Sequence, residues 1–482
     1  MKMNRFLLAG ASASVLAFAA AEAATVSITS CEQDEASGLV SVSYKLSDGP
    51  AIVTFGLKRP DGSALPAACT YATRGAINRK LASGTHAFTW LPGETCAATD
   101  LSAGAKVVLT AWAESNPPQF MAVDPALGEV SYYETKDQVP GGLTGVANKS
   151  SRIVFRRIAA KGRTFAMGSD ESDDGHLDNE TVHQVTLTND FWMGVFPVTQ
   201  GQYKEISNGS NPSFAHASAY SCRYPNGAWR PVEQVTFAAL RGSSGADWPN
   251  NGHAVASTSI IGVLRDRTGN DRFDLPTEAE WEFACRAGTT SALNNGKNWS
   301  YANVREIAWV TANSPSGDSA AALVGEKEPN AWDLYDMHGT VCEMCLDWYS
   351  DDLGGEAVTA PVGPTSGTDR VLRGGGMAEA SERGYKSVRS AARLPNASTG
   401  IKPSNLMIGF RLSAAIPVGT DDEPASDEAD LTTVAQLMRA AAEPTGHGTP
   451  EQPFEAWDRD FGEAWIEKFS SFPPLGLLLM IR

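Results

Sequence analysis

The sequence predicts two successive folding units. The first is an all-β sandwich of immunoglobulin or fibronectin type over 24–140, and the second is a loop-rich α+β domain over 152–415. Three observations carry this expectation. At 482 residues the chain is too long for one ordinary domain. Its 45 glycines and 27 prolines favour loops over a helical fold. Apolar and polar residues alternate in the first unit, whereas the second adds helix-start signatures to short apolar runs.

Before the sandwich, residues 1–23 read as a secretory signal. Lys2 and Arg5 supply the positive end, Phe6 to Phe18 the apolar stretch, and Ala21-Glu22-Ala23 the cleavage pattern. The apolar run is too short for a membrane anchor. The expectation is a secreted, periplasmic or cell-surface protein with no transmembrane span after cleavage.

In the sandwich, Val40, Val42 and Tyr44 alternate with polar neighbours. Val53 to Phe55 precede the turn Pro60-Asp61-Gly62, Phe88 and Trp90 alternate again, and Val107 to Trp112 read as a buried strand. Short strands at this spacing predict a sandwich. No catalytic constellation appears in it. Pro140-Gly141-Gly142 and Asn148 to Ser151 predict a linker over 141–151.

In the second unit, Thr199 with Gln202 and Thr277 with Glu280 each form a capping box, so helices start at Gln200 and Glu278. Trp281, Ala284 and Cys285 then fall on one buried stripe, which makes Cys285 a core thiol. After Ala415 the acids between Asp421 and Asp430 predict a disordered hinge, and 416–482 an acidic hinge with a C-terminal tail.

The net charge of −17 disfavours nucleic acid, whose phosphates attract Lys and Arg, and is compatible with cation binding. Seven cysteines leave at least one thiol if every disulfide is internal; Cys69 with Cys96 is the preferred pair.

The segment Asn330 to Tyr349 is dense in special residues: aromatics, His338, Gly339, Cys342, Cys345 and four acids. Other pieces accompany it in order. They are Phe165-Ala-Met-Gly-Ser169, Glu180 with His183, Phe191 to Tyr203, Arg230-Pro-Val232 and Leu275 to Gly288. Arg373-Gly-Gly375, Arg389-Ser-Ala-Ala-Arg393 and Ile408-Gly-Phe-Arg411 follow. Together they resemble the formylglycine-generating enzyme (sulfatase-modifying factor) family. The resemblance implies a C-type-lectin-like core with long ordered loops.

It also implies structural calcium, held by the side chains of Asp336 and Glu343 and the carbonyls of Gly339 and Val341. A hard cation needs several such oxygens. A second implied site would use Asn303, the Val304 carbonyl and, as a guess, Asp318. The family's activity is copper-dependent oxidation of a protein cysteine, with two close cysteines holding Cu(I) between the R-G-G and A-A-R motifs. Here 376–390 contains no cysteine, and Gly376 stands where serine is usual. Copper is therefore not expected.

Cys342 replaces a tryptophan that lines the family's pocket, and Cys342-Glu-Met-Cys345 forms a C-x-x-C. Either thiol is a candidate relocated redox group, and either could instead be a core residue. Iron enzymes on this fold use clustered histidines; the seven here show no H-x-x-x-H or H-x-E spacing. His183 and His338 read as structural.

Two functions remain. One is an exported bacterial-type binding scaffold for a glycan or protein. The other is a divergent oxidoreductase acting on protein cysteine through Cys342 or Cys345.

Overall fold

The computed structural model describes 24–431 except 35–36, 102–103, 214–226, 246, 315–320, 377–385, 398–406 and 420–421. The expected signal, Cys222, Asp318 and the tail beyond Leu431 lie outside the described residues.

The N-terminal unit is two four-stranded antiparallel sheets. One runs Thr25–Gln33, Val40–Ser47, Gly84–Trp90, Thr73–Gly75; the other Ala425–Leu431, Ala105–Trp112, Ala51–Lys58, Arg79–Leu81. The alternation read from sequence is why they pack. Val40, Val42, Tyr44, Phe88 and Trp90 from one sheet meet Val53, Phe55, Val107 and Leu109 from the other in one apolar cluster. Cys69 and Cys96 are disulfide-bonded beside it.

Two expected boundaries shift. Phe120–Asp124 and Glu129–Tyr133, expected in the sandwich, form the far end of a six-stranded sheet in the second unit. The cause is register: Phe120 to Val123 pair with Ile153 to Arg156. The expected acidic hinge is corrected in part. Ala425–Leu431 is a strand, paired along its whole length with Ala105 to Ala111. Its acids lie at the surface while Leu431 enters the core, so charge density alone misread it. The linker also holds structure. Asn148, in the short helix Val146–Ser150, is buried and donates to the carbonyls of Pro140 and Gly142.

The second unit holds three sheets. The largest runs Phe273–Asp274, Ser413–Ala415, Phe191–Gly194, Ile153–Ile158, Phe120–Asp124, Glu129–Tyr133. A four-stranded sheet runs Leu394–Ala397, Asp369–Arg373, Cys342–Trp348, Ile408–Gly409. A third joins Thr164–Met167, His183–Thr186 and Val358–Thr359. Both expected helices form, Gln200–Ser207 and Glu278–Arg286, each with both arms of its capping box. Among the described residues no helix is long and apolar enough to cross a membrane.

Candidate functional site

The residues singled out from sequence converge on the turn before strand Cys342–Trp348. Asn330 anchors this turn. Its amide donates to the carbonyls of Ala284 and Cys285, and its carbonyl oxygen accepts from Trp332 and Leu334 N–H. The chain then passes through four left-handed residues: Asp333 (φ 62°), Asp336 (55°), Gly339 (75°) and Thr340 (66°). Gly339 is required there, since a Cβ would lie 2.3 Å from the Trp309 carbonyl oxygen. His338 fastens the turn, facing the Val388 carbonyl through Nδ1 and accepting Asn294 N–H at Nε2. Burial lowers its pKa to about 4, so it is neutral and structural. His183 likewise faces a backbone carbonyl, that of Thr181.

Asp336 and Glu343 are both buried but are satisfied differently. Asp336 Oδ2 accepts Gly325 N–H at 2.7 Å. Its Oδ1 is buried and has no hydrogen-bond partner among the described residues. Burial raises this carboxyl to about 6, against the pull of Arg411 and Lys149. Glu343 is clamped: Arg411 donates to both oxygens, at 2.7 and 3.0 Å, and Trp281 Nε1 donates to Oε2 at 2.7 Å.

The group therefore fits a hard cation mainly through Asp336 Oδ1, with the Gly339 carbonyl already accepting Val341 N–H and Glu343 offering only what Arg411 and Trp281 leave. The described part of the second implied calcium set lies on the helix Tyr301–Ile307. The Val304 carbonyl accepts Ala308 N–H within a helical turn, and the Asn303 amide donates to Asn298 O.

The strand itself separates the two candidate thiols. Side chains alternate along a strand, so positions three apart face opposite ways. Cys342, Met344 and Leu346 join the cluster shared with Phe410 and Leu412. Cys345 joins the other, with Trp281, Cys285 and Val371. Both thiols are fully buried (0% exposed), and burial pushes Cys345 well above the usual thiol value. The C-x-x-C is thus not a dithiol pair. Cys285 is also buried, 3.8 Å from Ser390 Oγ, with its pKa pushed up to about 12 by burial.

Gly376 lies beside Cys342: a Cβ there would sit 3.2 Å from its Sγ. The residues at this place do not fit Cu(I), which wants two thiolates, because 376–390 supplies none.

Sequence reasoning missed how the motifs bind one another. Several motif arginines grip motif carboxylates inside the core. Arg373 holds Glu278 and Glu282; Arg393 holds Glu278; Arg389 holds Glu180 at both oxygens; Arg411 holds Glu343. All these arginines and carboxylates are buried. Burial pushes Glu278 up, but Arg393 and Arg373 outweigh it and hold the carboxyl below its usual value. The available signal was the pair of acids at Glu278 and Glu282, one turn apart on a helix whose buried residues are otherwise mostly apolar.

The sequence of this domain matches a known family. Residues 146–416 match the sulfatase-modifying factor enzyme 1-like domain. The chain belongs to the formylglycine-generating enzyme (sulfatase-modifying factor) family. It is 27% identical to the formylglycine-generating enzyme of Mus musculus over 307 residues, covering 58% of this chain and 80% of that protein. It is 33% identical to the enzyme of Streptomyces coelicolor over 291 residues, covering 53% of this chain and 88% of that protein.

Among solved structures, Treponema denticola variable protein 1 aligns over 56% of this chain and 96% of its own, at 24% identity and a TM-score of 0.43. The family match starts after the two-sheet unit and ends before the strand Ala425–Leu431. Within the family domain, buried arginine–carboxylate pairs join several of the motifs to one another.

Proposed function

We propose that the family domain of this chain is a binding scaffold for a glycan or protein ligand and not a copper-dependent cysteine oxidase. The observation that carries the reading is the fate of the thiols. Cys342 and Cys345 are fully buried on opposite faces of one strand, and 376–390 offers no cysteine in their place. A buried thiol in apolar surroundings is a poor nucleophile and a poor ligand.

Calcium is proposed as a structural clamp, anchored by Asp336 with the Gly339 and Val341 carbonyls and assisted by Glu343. The unpartnered Asp336 Oδ1 supports it. The N-terminal unit is proposed as an immunoglobulin- or fibronectin-like module, supported by its two antiparallel sheets on one core. Export to a secreted, periplasmic or surface location is proposed from residues 1–23.

One observation favours the second reading, a divergent oxidoreductase. Cys342 adjoins Gly376, where the segment that carries the family's copper cysteines begins. Brief iodoacetamide labelling of the folded protein at pH 7, followed by peptide mapping, separates the two. A binding scaffold leaves Cys342 and Cys345 unlabelled, while a reduced, unfolded sample labels both. Fast, selective labelling of Cys342 would make the oxidoreductase the leading reading.

A further inference from the structure

The N-terminal two-sheet unit is completed only after the whole family domain has been threaded. Its sheet Ala51–Lys58, Ala105–Trp112 gains its outer strand from Ala425–Leu431, more than three hundred residues on in sequence. That strand is a poor strand by composition. Apart from Ser426, Ala-Ser-Asp-Glu-Ala-Asp is made of residues depleted in sheets. Its neighbour, Ala-Lys-Val-Val-Leu-Thr-Ala-Trp, is a strong one. The pairing therefore depends on what the slot offers.

The slot reads the strand at three positions. Ile28 N–H, at a bulge in Thr25–Gln33, donates to Asp427 Oδ2 at 2.7 Å. Lys58 and Lys106 flank Glu428, at 2.5 and 3.8 Å. Leu431 is 8% exposed and packs into the cluster with Val107 and Leu109. The entry is also shaped. The two crossing chains touch at Ser115 and Gly419, where a Cβ on Gly419 would lie 2.4 Å from Ser115 Oγ. Asn116 there donates to the Asp422 carbonyl at 2.9 Å.

We propose that the groove between Thr25–Gln33 and Ala105–Trp112 is a peptide-accepting slot. It is selective for an extended acidic segment with an Asp-Glu pair and a leucine three residues after the Glu, and it is filled in cis by Ala425–Leu431. The main-chain ladder supplies affinity, while the Ile28 N–H and the Leu431 pocket supply choice, the pattern of strand addition, and the partly exposed Lys58 and Lys106 add little. The slot lies outside the family domain and is independent of whether that domain binds or oxidises.

The test uses the full chain with a protease site inserted after Thr420. The cleaved protein is unfolded in urea, freed of its 421–482 fragment, and refolded with a fluorescein-labelled peptide spanning 422–433, or the same peptide carrying Leu431→Asp. Retention is read by gel filtration. The native peptide is expected to be retained, and the Leu431→Asp peptide to bind about tenfold more weakly or worse, since one buried leucine is worth at least that factor. The uncleaved chain takes up neither, because its own strand is at high effective concentration. Equal retention of the two peptides, or retention of neither, overturns the proposal.

A second measurement needs no cleavage. Leu431→Asp in the intact chain should speed amide exchange in Ala105–Trp112 and leave Glu278–Arg286 unchanged. Unchanged exchange in Ala105–Trp112 overturns the proposal equally.

Discussion

Arg411 grips Glu343 side-on, with Nη2 to Oε1 at 2.7 Å and Nε to Oε2 at 3.0 Å, and both side chains are buried. This pair joins the last family motif to the strand that carries Cys342 and Cys345. Buried pairs of this kind add little net stability over an apolar pair, yet breaking one strands a charge. Glu343→Gln is therefore expected to cost about 3–5 kcal/mol in chemical denaturation. Adding Arg411→Met to it should recover part of that loss. Two independent, additive losses would mean that the pair is not coupled.

Calcium is best tested at Asp336, because Glu343→Gln disturbs Arg411 whether or not a cation is present. Calcium should raise the melting temperature at pH 7.5, since a ligand that binds only the folded state stabilises by mass action. The response should shrink at pH 5, below the value of about 6 at which Asp336 takes up a proton. Asp336→Asn should remove it. A calcium response of full size in that variant rejects the site.

Asp347 gives a pH dependence of known sign. It accepts Glu278 N–H at 2.8 Å, and burial with the nearby Glu278 charge raises its pKa from 3.8 to about 8. The folded state thus favours the proton. Its contribution is fully present below pH 3.8 and is lost as the pH climbs towards about 8. Asp347→Asn should flatten this decline, with a gain on the order of a few kcal/mol at pH 8.5 and little at pH 4. Parallel curves for the two proteins from denaturation at several pH values would contradict this.

The parts of the fold legible in the sequence were those written in local patterns. Thr199 with Gln202 and Thr277 with Glu280 announced both helices, because a capping box is a contact between near neighbours. The Cys69–Cys96 bond joins two loops of one small unit. The non-local features were not legible. Ala425–Leu431 carries no strand signal of its own, and only the edge of Ala105–Trp112 makes it one.

The turn at Asp336 was placed by family resemblance, but the Arg411 clamp that limits Glu343 was not foreseen. Nor was the opposite facing of Cys342 and Cys345. The C-x-x-C, open from sequence as a redox group or as core thiols, lies on a strand as two separate core residues.

The central claim, a family domain without the family's oxidation chemistry, is tested most directly by mass spectrometry of a cysteine substrate. The purified full-length protein is loaded with Cu(I) and incubated in oxygen with a Cys-x-Pro-x-Arg peptide. The account predicts that the peptide keeps its cysteine at the level of a protein-free control. Formylglycine accumulating above that control, and lost on Cys342→Ala, would contradict it.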